Sequence, residues 1–267
     1  MGRFDFKTRI GQISAIIQSG DQDAQAFFNR VTAAGGTLTN TEQAAIVQLV
    51  SDMKNSGVWE SMKAIYPMVG ASSAACAQNL KSSSFTGTFT SGWNFASTGV
   101  NGNGTSAFMN TALIESTNLS LNNEHISVYL RTNTDGAFIE IGTAGATFVP
   151  ETDMFVRFTN LAYARVQGTA GSIVSNTDSR GFYVGNRVNS TQVSLFKNAT
   201  KSTVSSTSIS RSPNPFYLGA INDNGVGNYY SIRQIAFSSI GDGLTDTQAS
   251  DFYTAVQAFQ TTLSRNV

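Results

Sequence analysis

The spacing of apolar side chains changes period near residue 70. Before that point apolar residues recur every three to four positions. After it, short runs alternate with polar residues and are broken by Gly, Asn, Ser and Thr. The two periods suit different backbones, because side chains three or four apart share a helix face while strand side chains alternate between faces. The pattern therefore predicts a helical region over residues 1–70 and an all-β sandwich over 71–267. That sandwich is closed by a helix at about 244–264, where the longer period returns.

The helical region divides at its caps. Phe6, Ile10, Ile13 and Ile17 form a stripe within a first helix, Phe6 to Gln18. An isolated helix this short is marginal in water. The stripe needs a partner, which is the rest of the chain, a second copy or a larger assembly. A second helix begins after Asp21 or Asp23 and ends at Gly35-Gly36, with Phe27, Phe28 and Val31 on its apolar face. The third starts at Thr39-Asn40-Thr41-Glu42, a capping box, and carries Ala45, Ile46, Leu49, Val50 and Met53. A short helix from Val58 to Tyr66 precedes Pro67, and places Trp59 as an anchor between helices and sandwich.

Turn signals punctuate the remainder at Asn101-Gly102-Asn103-Gly104, Asp135-Gly136 and Asp223-Asn224-Gly225. Between them the alternation predicts strands at 126–130, 137–141, 154–158, 181–184, 193–196, 216–218 and 229–237. Many short strands in a segment of this length indicate two antiparallel sheets face to face. Trp93 and Phe95 fall on one strand face, as core residues would. The closing helix opens on a second capping box, Thr245-Asp246-Thr247-Gln248, and Ala249, Phe252, Val256, Phe259 and Leu263 follow at helical spacing. That stripe docks on the sandwich or the N-terminal helices, or forms a seam between identical chains.

Composition removes several classes of function. Seventeen basic residues balance seventeen acidic ones. A general electrostatic grip on nucleic acid needs a basic surplus, so no nucleic-acid partner is expected. No apolar stretch reaches bilayer-spanning length, the first residues lack the apolar core of a signal peptide, and Phe6 departs from the myristoylation pattern that Gly2 would begin. Membrane insertion is not expected. The single cysteine, Cys76, excludes an internal disulfide or a Cys-rich zinc site, and reads as a small buried hydrophobe.

Catalytic constellations are sparse. A Ser-His-acid triad would have to use His125, the sole histidine, which reads as structural. No Gly-Lys-Ser or Gly-Lys-Thr marks a phosphate loop. Retaining glycoside hydrolysis needs two convergent carboxyl groups. Glu140 in Phe138-Ile139-Glu140-Ile141 is the best-placed one, and its strand supplies no second, leaving Glu151 or Asp153 from a loop as the remaining partner. The chain is therefore expected to be no enzyme, and to need no cofactor and no metal. Sugar sites combine exposed aromatics with a few polar groups. The loop Asn222 to Tyr230 offers Asp223, Asn224, Tyr229 and Tyr230 as ligand-binding candidates, with calcium as an alternative use of its oxygens. A second loop, Asn101 to Thr105, is also polar.

Three segments carry a resemblance. Gly181-Phe182-Tyr183-Val184-Gly185-Asn186-Arg187, Val193-Ser194-Leu195-Phe196-Lys197-Asn198 and Phe216-Tyr217-Leu218-Gly219-Ala220 look like the second half of a concanavalin A-like, laminin-G-like jelly roll, with Ala199 where the hairpin glycine usually sits. Over nearly the whole chain, Thr37-Leu38-Thr39, Trp59, Met62 to Pro67, Gly70, Gly92-Trp93 and the ending Phe252-Tyr253 to Phe259 through Arg265 resemble a module of tailed bacteriophages of Bacteroidetes hosts, including crAss-like phages. The resemblance implies a virion structural protein, as head fibre, tail fibre or decoration, exposed on the particle after assembly in the host cytoplasm. It implies a homo-oligomer, by analogy a trimer. Residues 1–70 would join copies or other virion proteins, with Phe6, Ile10, Ile13 and Ile17 as the assembly stripe. A receptor-binding role toward host surface glycan is the alternative, and a glycan hydrolase a more remote one.

Overall fold

The computed structural model describes residues 21–267. The helix stripe of Phe6, Ile10, Ile13 and Ile17 lies outside the described residues. Helix α1 (Gln22–Ala33) is capped by the Asp21 carboxylate, which accepts from Asp23 N–H at 2.9 Å. It stops where Gly35 turns left-handed and Gly36 N–H reaches back to Val31 C=O. Helix α2 (Asn40–Asn55) begins with the expected capping box between Thr39 and Glu42. Val58 to Tyr66 is not a helix: a 3-10 turn (Trp59–Ser61) leads into strand β1 (Met62–Tyr66). The alternative to a fourth isolated helix is a full ladder with a central strand, and that pairing prevails.

Two four-residue helices, α3 (Ser73–Cys76) and α4 (Glu115–Asn118), sit in connections. The strands before the first long hairpin are β2 (Thr88–Phe89), β3 (Asn94–Ala96), β4 (Gly99–Asn101), β5 (Met109–Ile114) and β6 (Glu124–Leu130). Then follow β7 (Ile141–Ala144), β8 (Glu151–Phe158), β9 (Leu161–Gly168), β10 (Ser172–Ser175), β11 (Gly181–Arg187), β12 (Gln192–Lys197) and β13 (Thr200–Ser205). The last are β14 (Pro215–Leu218), β15 (Ile221–Asp223), β16 (Val226–Asn228) and β17 (Ile235–Gly241), before helix α5 (Asp246–Thr262).

They form two sheets. The first runs β13-β12-β11-β6-β17-β4-β3, with β1 also on β17; the second runs β10-β9-β8-β7-β14-β5-β2, with β15 on β7 and β16 on β15. All pairings are antiparallel except β15 with β7. The expected mainly β sandwich of two antiparallel sheets is what forms. Two predicted strands are shifted. Residues 137–140 are irregular and the strand starts at Ile141, while 229–234 form a loop between β16 and β17.

One apolar cluster fills the space between the sheets, including Ile126, Val128, Met154, Tyr183 and Phe216. A second joins Phe27, Ile46 and Leu49 of the N-terminal helices to Phe252, Val256 and Phe259 of α5, and to Tyr129, Phe182 and Phe237 on the outer face of the first sheet. The molecule thus has three layers: helices, first sheet, second sheet. Residues 21–70 are not a detached appendage; they share this core, β1 completes the first sheet, and Trp59 is buried within the helical cluster. The C-terminal Arg265 fastens the layers. Its buried guanidinium donates to Pro67 and Met68 carbonyls, to Ala236 C=O and to Gln260 Oε1. No described helix is long and apolar enough to cross a membrane.

Candidate binding site

Strands β8 and β9 pair with Asp153 opposite Arg165 and Phe155 opposite Tyr163. Met154, Val156, Ala162 and Ala164 face the inter-sheet core. By alternation, Glu151, Asp153, Phe155, Tyr163 and Arg165 project from the outer face of the second sheet. No helix of the described residues covers this face. Three connections rise beside it and contribute Ile139, Phe148 and Tyr229, and β8 adds Phe158 at its end. Together with Glu151 and Arg165 they line a pocket of about 430 Å³.

The rings touch edge to face around Phe155, which lies 5.4 Å from Tyr229 and 6.3 Å from Tyr163 between centroids. Phe148 meets Tyr229 at 6.2 Å. Ile139 N–H donates to Tyr229 C=O at 2.9 Å, which ties the two loops together. Tyr229 holds a positive φ of 54° and is 45% exposed. That is an uncommon backbone state for a bulky residue, and the pocket geometry depends on it.

Arg165 organises the polar side. Its Nε donates to Asp153 Oδ1 at 2.7 Å and its Nη2 to Oδ2 at 2.5 Å, while Nη1 lies 2.9 Å from Glu151 Oε1. The guanidinium also stacks over Phe155, 5.6 Å from the ring centre. Burial, reinforced by the charge of Asp153, pushes Glu151 up to about 8, although Arg165 opposes the shift. Asp153 has both oxygens held and its side chain is 1% exposed. Of the two carboxyls, only Glu151 faces the pocket, whereas paired-carboxyl hydrolysis needs two.

The sequence-predicted residues separate here. Tyr229 lines the pocket. Asp223 stands beside it, near enough for its charge to raise Glu151. Asn224 occupies the tip of the β15–β16 hairpin with Gly225, both at positive φ, and serves the turn. Tyr230 points elsewhere and packs on the backbone of Gly227, where a Cβ would meet its hydroxyl at 2.6 Å. The oxygens of this loop are already used: Asn222 accepts from Gly225 N–H and Asp223 from Asn228. No group of three metal-ligating side chains occurs among the described residues. In the other loop, Asn103 Oδ1 accepts from three successive backbone N–H groups and closes its own turn.

Glu140 does not line the pocket. It is fully buried and ion-paired with Arg233 at 2.5 Å, with Ser231 donating to the same oxygen. Glu151 and Asp153 belong to a strand rather than a loop. His125 is buried between Asp242 C=O and the Ser239 hydroxyl, and burial lowers it to about 4, which keeps it neutral. Phe148, Phe155, Phe158, Tyr163 and Arg165 escaped the sequence reading. Their signal was present: in Glu151-x-Asp153-x-Phe155 and Tyr163-x-Arg165 the aromatics share a phase with the charges, which marks an exposed face.

No protein-family model matches the chain, and no curated protein matches it. Solved structures do. The HCR/D protein, in a tryptophan-to-alanine variant, is similar over 73% of this chain and 52% of its own, at 10% identity and a TM-score of 0.51. Domain 4 of AbnA, an extracellular GH43 arabinanase from Geobacillus stearothermophilus in complex with arabinotriose, matches 72% of this chain and 98% of its own, at 14% identity and 0.46. The CBM40 of the Ruminococcus gnavus IT-sialidase, bound to α2,3-sialyllactose, matches 50% and 90%, at 15% identity and 0.38. At these identities the likeness is one of fold: a two-sheet β-sandwich.

Proposed function

We propose that this protein is a non-catalytic glycan-binding module, displayed on a bacteriophage particle. The observation that carries the binding role is the aromatic pocket on the uncovered face of the second sheet. Stacked rings present flat apolar surface to the C–H faces of a sugar, and Glu151 and Arg165 supply directional polar contacts at one side. A single accessible carboxyl supports binding rather than hydrolysis. The virion setting rests on the motifs shared with phage modules.

The direct test is binding of the full chain to host surface polysaccharide and to an immobilised glycan panel. Saturable binding is expected, with loss of at least about tenfold in affinity for Tyr229→Ala and a stability change within about 0.5 kcal/mol. Release of reducing sugar from the same polysaccharide would overturn the non-catalytic reading. Absence of the protein from purified particles by mass spectrometry would overturn the virion setting.

A further inference from the structure

Resting on that glycan reading, we infer that the pocket selects sugars carrying a positively charged amine over neutral or acidic ones. The charges on its walls are unequal. Glu151 and Asp153 face one guanidinium, Arg165, and Asp223 adds a further negative charge from β15. Three N–H groups of Arg165 are engaged with those two carboxylates. An acidic sugar would meet Asp153 and Asp223 beside an Arg165 whose charge is already shared with two carboxyls, so like-charge repulsion opposes it.

A cation meets the opposite situation. Glu151 Oε1 lies against Arg165, and Oε2 accepts no hydrogen bond from the described residues, so it is the carboxyl oxygen left to a ligand. Around it stand Phe148, Phe155, Phe158, Tyr163 and Tyr229. Ring faces carry partial negative charge and attract ammonium groups. Arg165 over Phe155 already uses that attraction within the pocket.

The same carboxyl couples uptake to pH. Glu151 titrates near 8, held up by burial and by Asp153. A cation at Oε2 favours the ionised form, so binding at neutral pH expels the Glu151 proton to solvent, and affinity rises as pH climbs toward that value and levels off above it. The other groups facing Glu151 are Asp153 and Arg165, locked as an ion pair, together with Asp223 and Tyr229.

The test is calorimetric titration of the full chain with three ligands: a tetramer of N,N,N-trimethylglucosamine, whose charge is permanent, the N-acetylglucosamine tetramer, and α2,3-sialyllactose. The cationic tetramer is expected to bind about tenfold more tightly than the neutral one, and the acidic ligand not measurably. The preference should widen between about pH 6 and pH 9 and vanish in Glu151→Gln. Should that variant fail to fold, the pH profile of the unaltered protein decides. Equal or tighter neutral binding, or a preference that survives Glu151→Gln, overturns the inference and leaves the glycan reading standing. If no sugar binds at any charge, the glycan reading itself falls.

Discussion

The outer faces of the two sheets have opposite fates. On the first sheet, β6, β11 and β17 are buried along their whole length, because the inter-sheet core lies on one side and helices α1, α2 and α5 lie on the other. On the second sheet, β9 alternates between half-buried and buried positions, because no element of the described residues packs on its outer side. A strand covered on both faces is all packing. A strand covered on one face can spend its other positions on chemistry. Glu151, Phe155, Tyr163 and Arg165 are such positions, and the first sheet offers no counterpart: the polar side chains there, His125, Ser127, Ser239 and Asn186, are buried and bonded to one another or to backbone, with His125 against Phe252 at 6.0 Å.

The sharpest break of this contrast is to uncover the first sheet. A chain starting at Gly70 loses α1, α2 and β1, and exposes Phe182, Phe237 and Phe252. It is expected to aggregate or remain unfolded rather than give a monomeric sandwich, as light scattering and near-ultraviolet circular dichroism would show. A well-folded monomer would mean that the helical layer is dispensable. Single residues probe the same asymmetry. Phe252→Ala removes a ring packed edge-on to Phe182 at 5.1 Å and Phe237 at 5.9 Å, with an expected loss of about 3–5 kcal/mol in denaturant unfolding. Phe155→Ala, on the open face, should cost about 1 kcal/mol or less. Comparable losses would contradict the assignment of one face to packing and the other to binding.

The buried Glu140–Arg233 pair supports the loops beside the pocket, since Arg233 also donates to Thr134, Gly136 and Arg157 carbonyls. Glu140→Gln strands that charge and should cost about 3 kcal/mol or more. Loss of a hydrolytic activity without loss of stability would instead make Glu140 a catalytic group. The smallest effect expected is electrostatic. Glu115 and Glu124 are buried together, and burial raises both, Glu124 further because of Glu115. A carboxyl raised in the folded state stabilises fully below its unfolded value, and that contribution is lost as pH rises toward the folded one. The unfolding midpoint should therefore fall as pH rises above the ordinary carboxylate range, and fall less steeply in Glu124→Gln.

Much of the architecture was legible in residue order because its causes are local. Thr39 with Glu42 and Thr245 with Gln248 satisfy helix ends within four residues, and Asn224-Gly225 turns a hairpin within two. Met62 to Tyr66 misled because five apolar-rich residues before a proline suit a helix or a strand equally; the ladder to β17 decided it. Residues 229–234 alternate like a strand, yet the positive φ of Tyr229 and its carbonyl bond from Ile139 N–H break the extended backbone before a ladder forms. Tyr229 was therefore found and its companions were not, since Phe148, Phe155, Tyr163 and Arg165 reach it only through the register of β7, β8 and β9.

By itself the sequence determined the limits of α1, α2 and α5, most strands, the two-sheet architecture and the sparsity of catalytic groups, all of which follow from periodicity, capping and composition. The tertiary structure alone decided which sheet face the helices cover, that Glu140 is a buried brace, and that Glu151 is the carboxyl left to a ligand. Those outcomes depend on contacts between residues far apart in the chain, where burial and pairing, rather than residue type, set what a side chain can do.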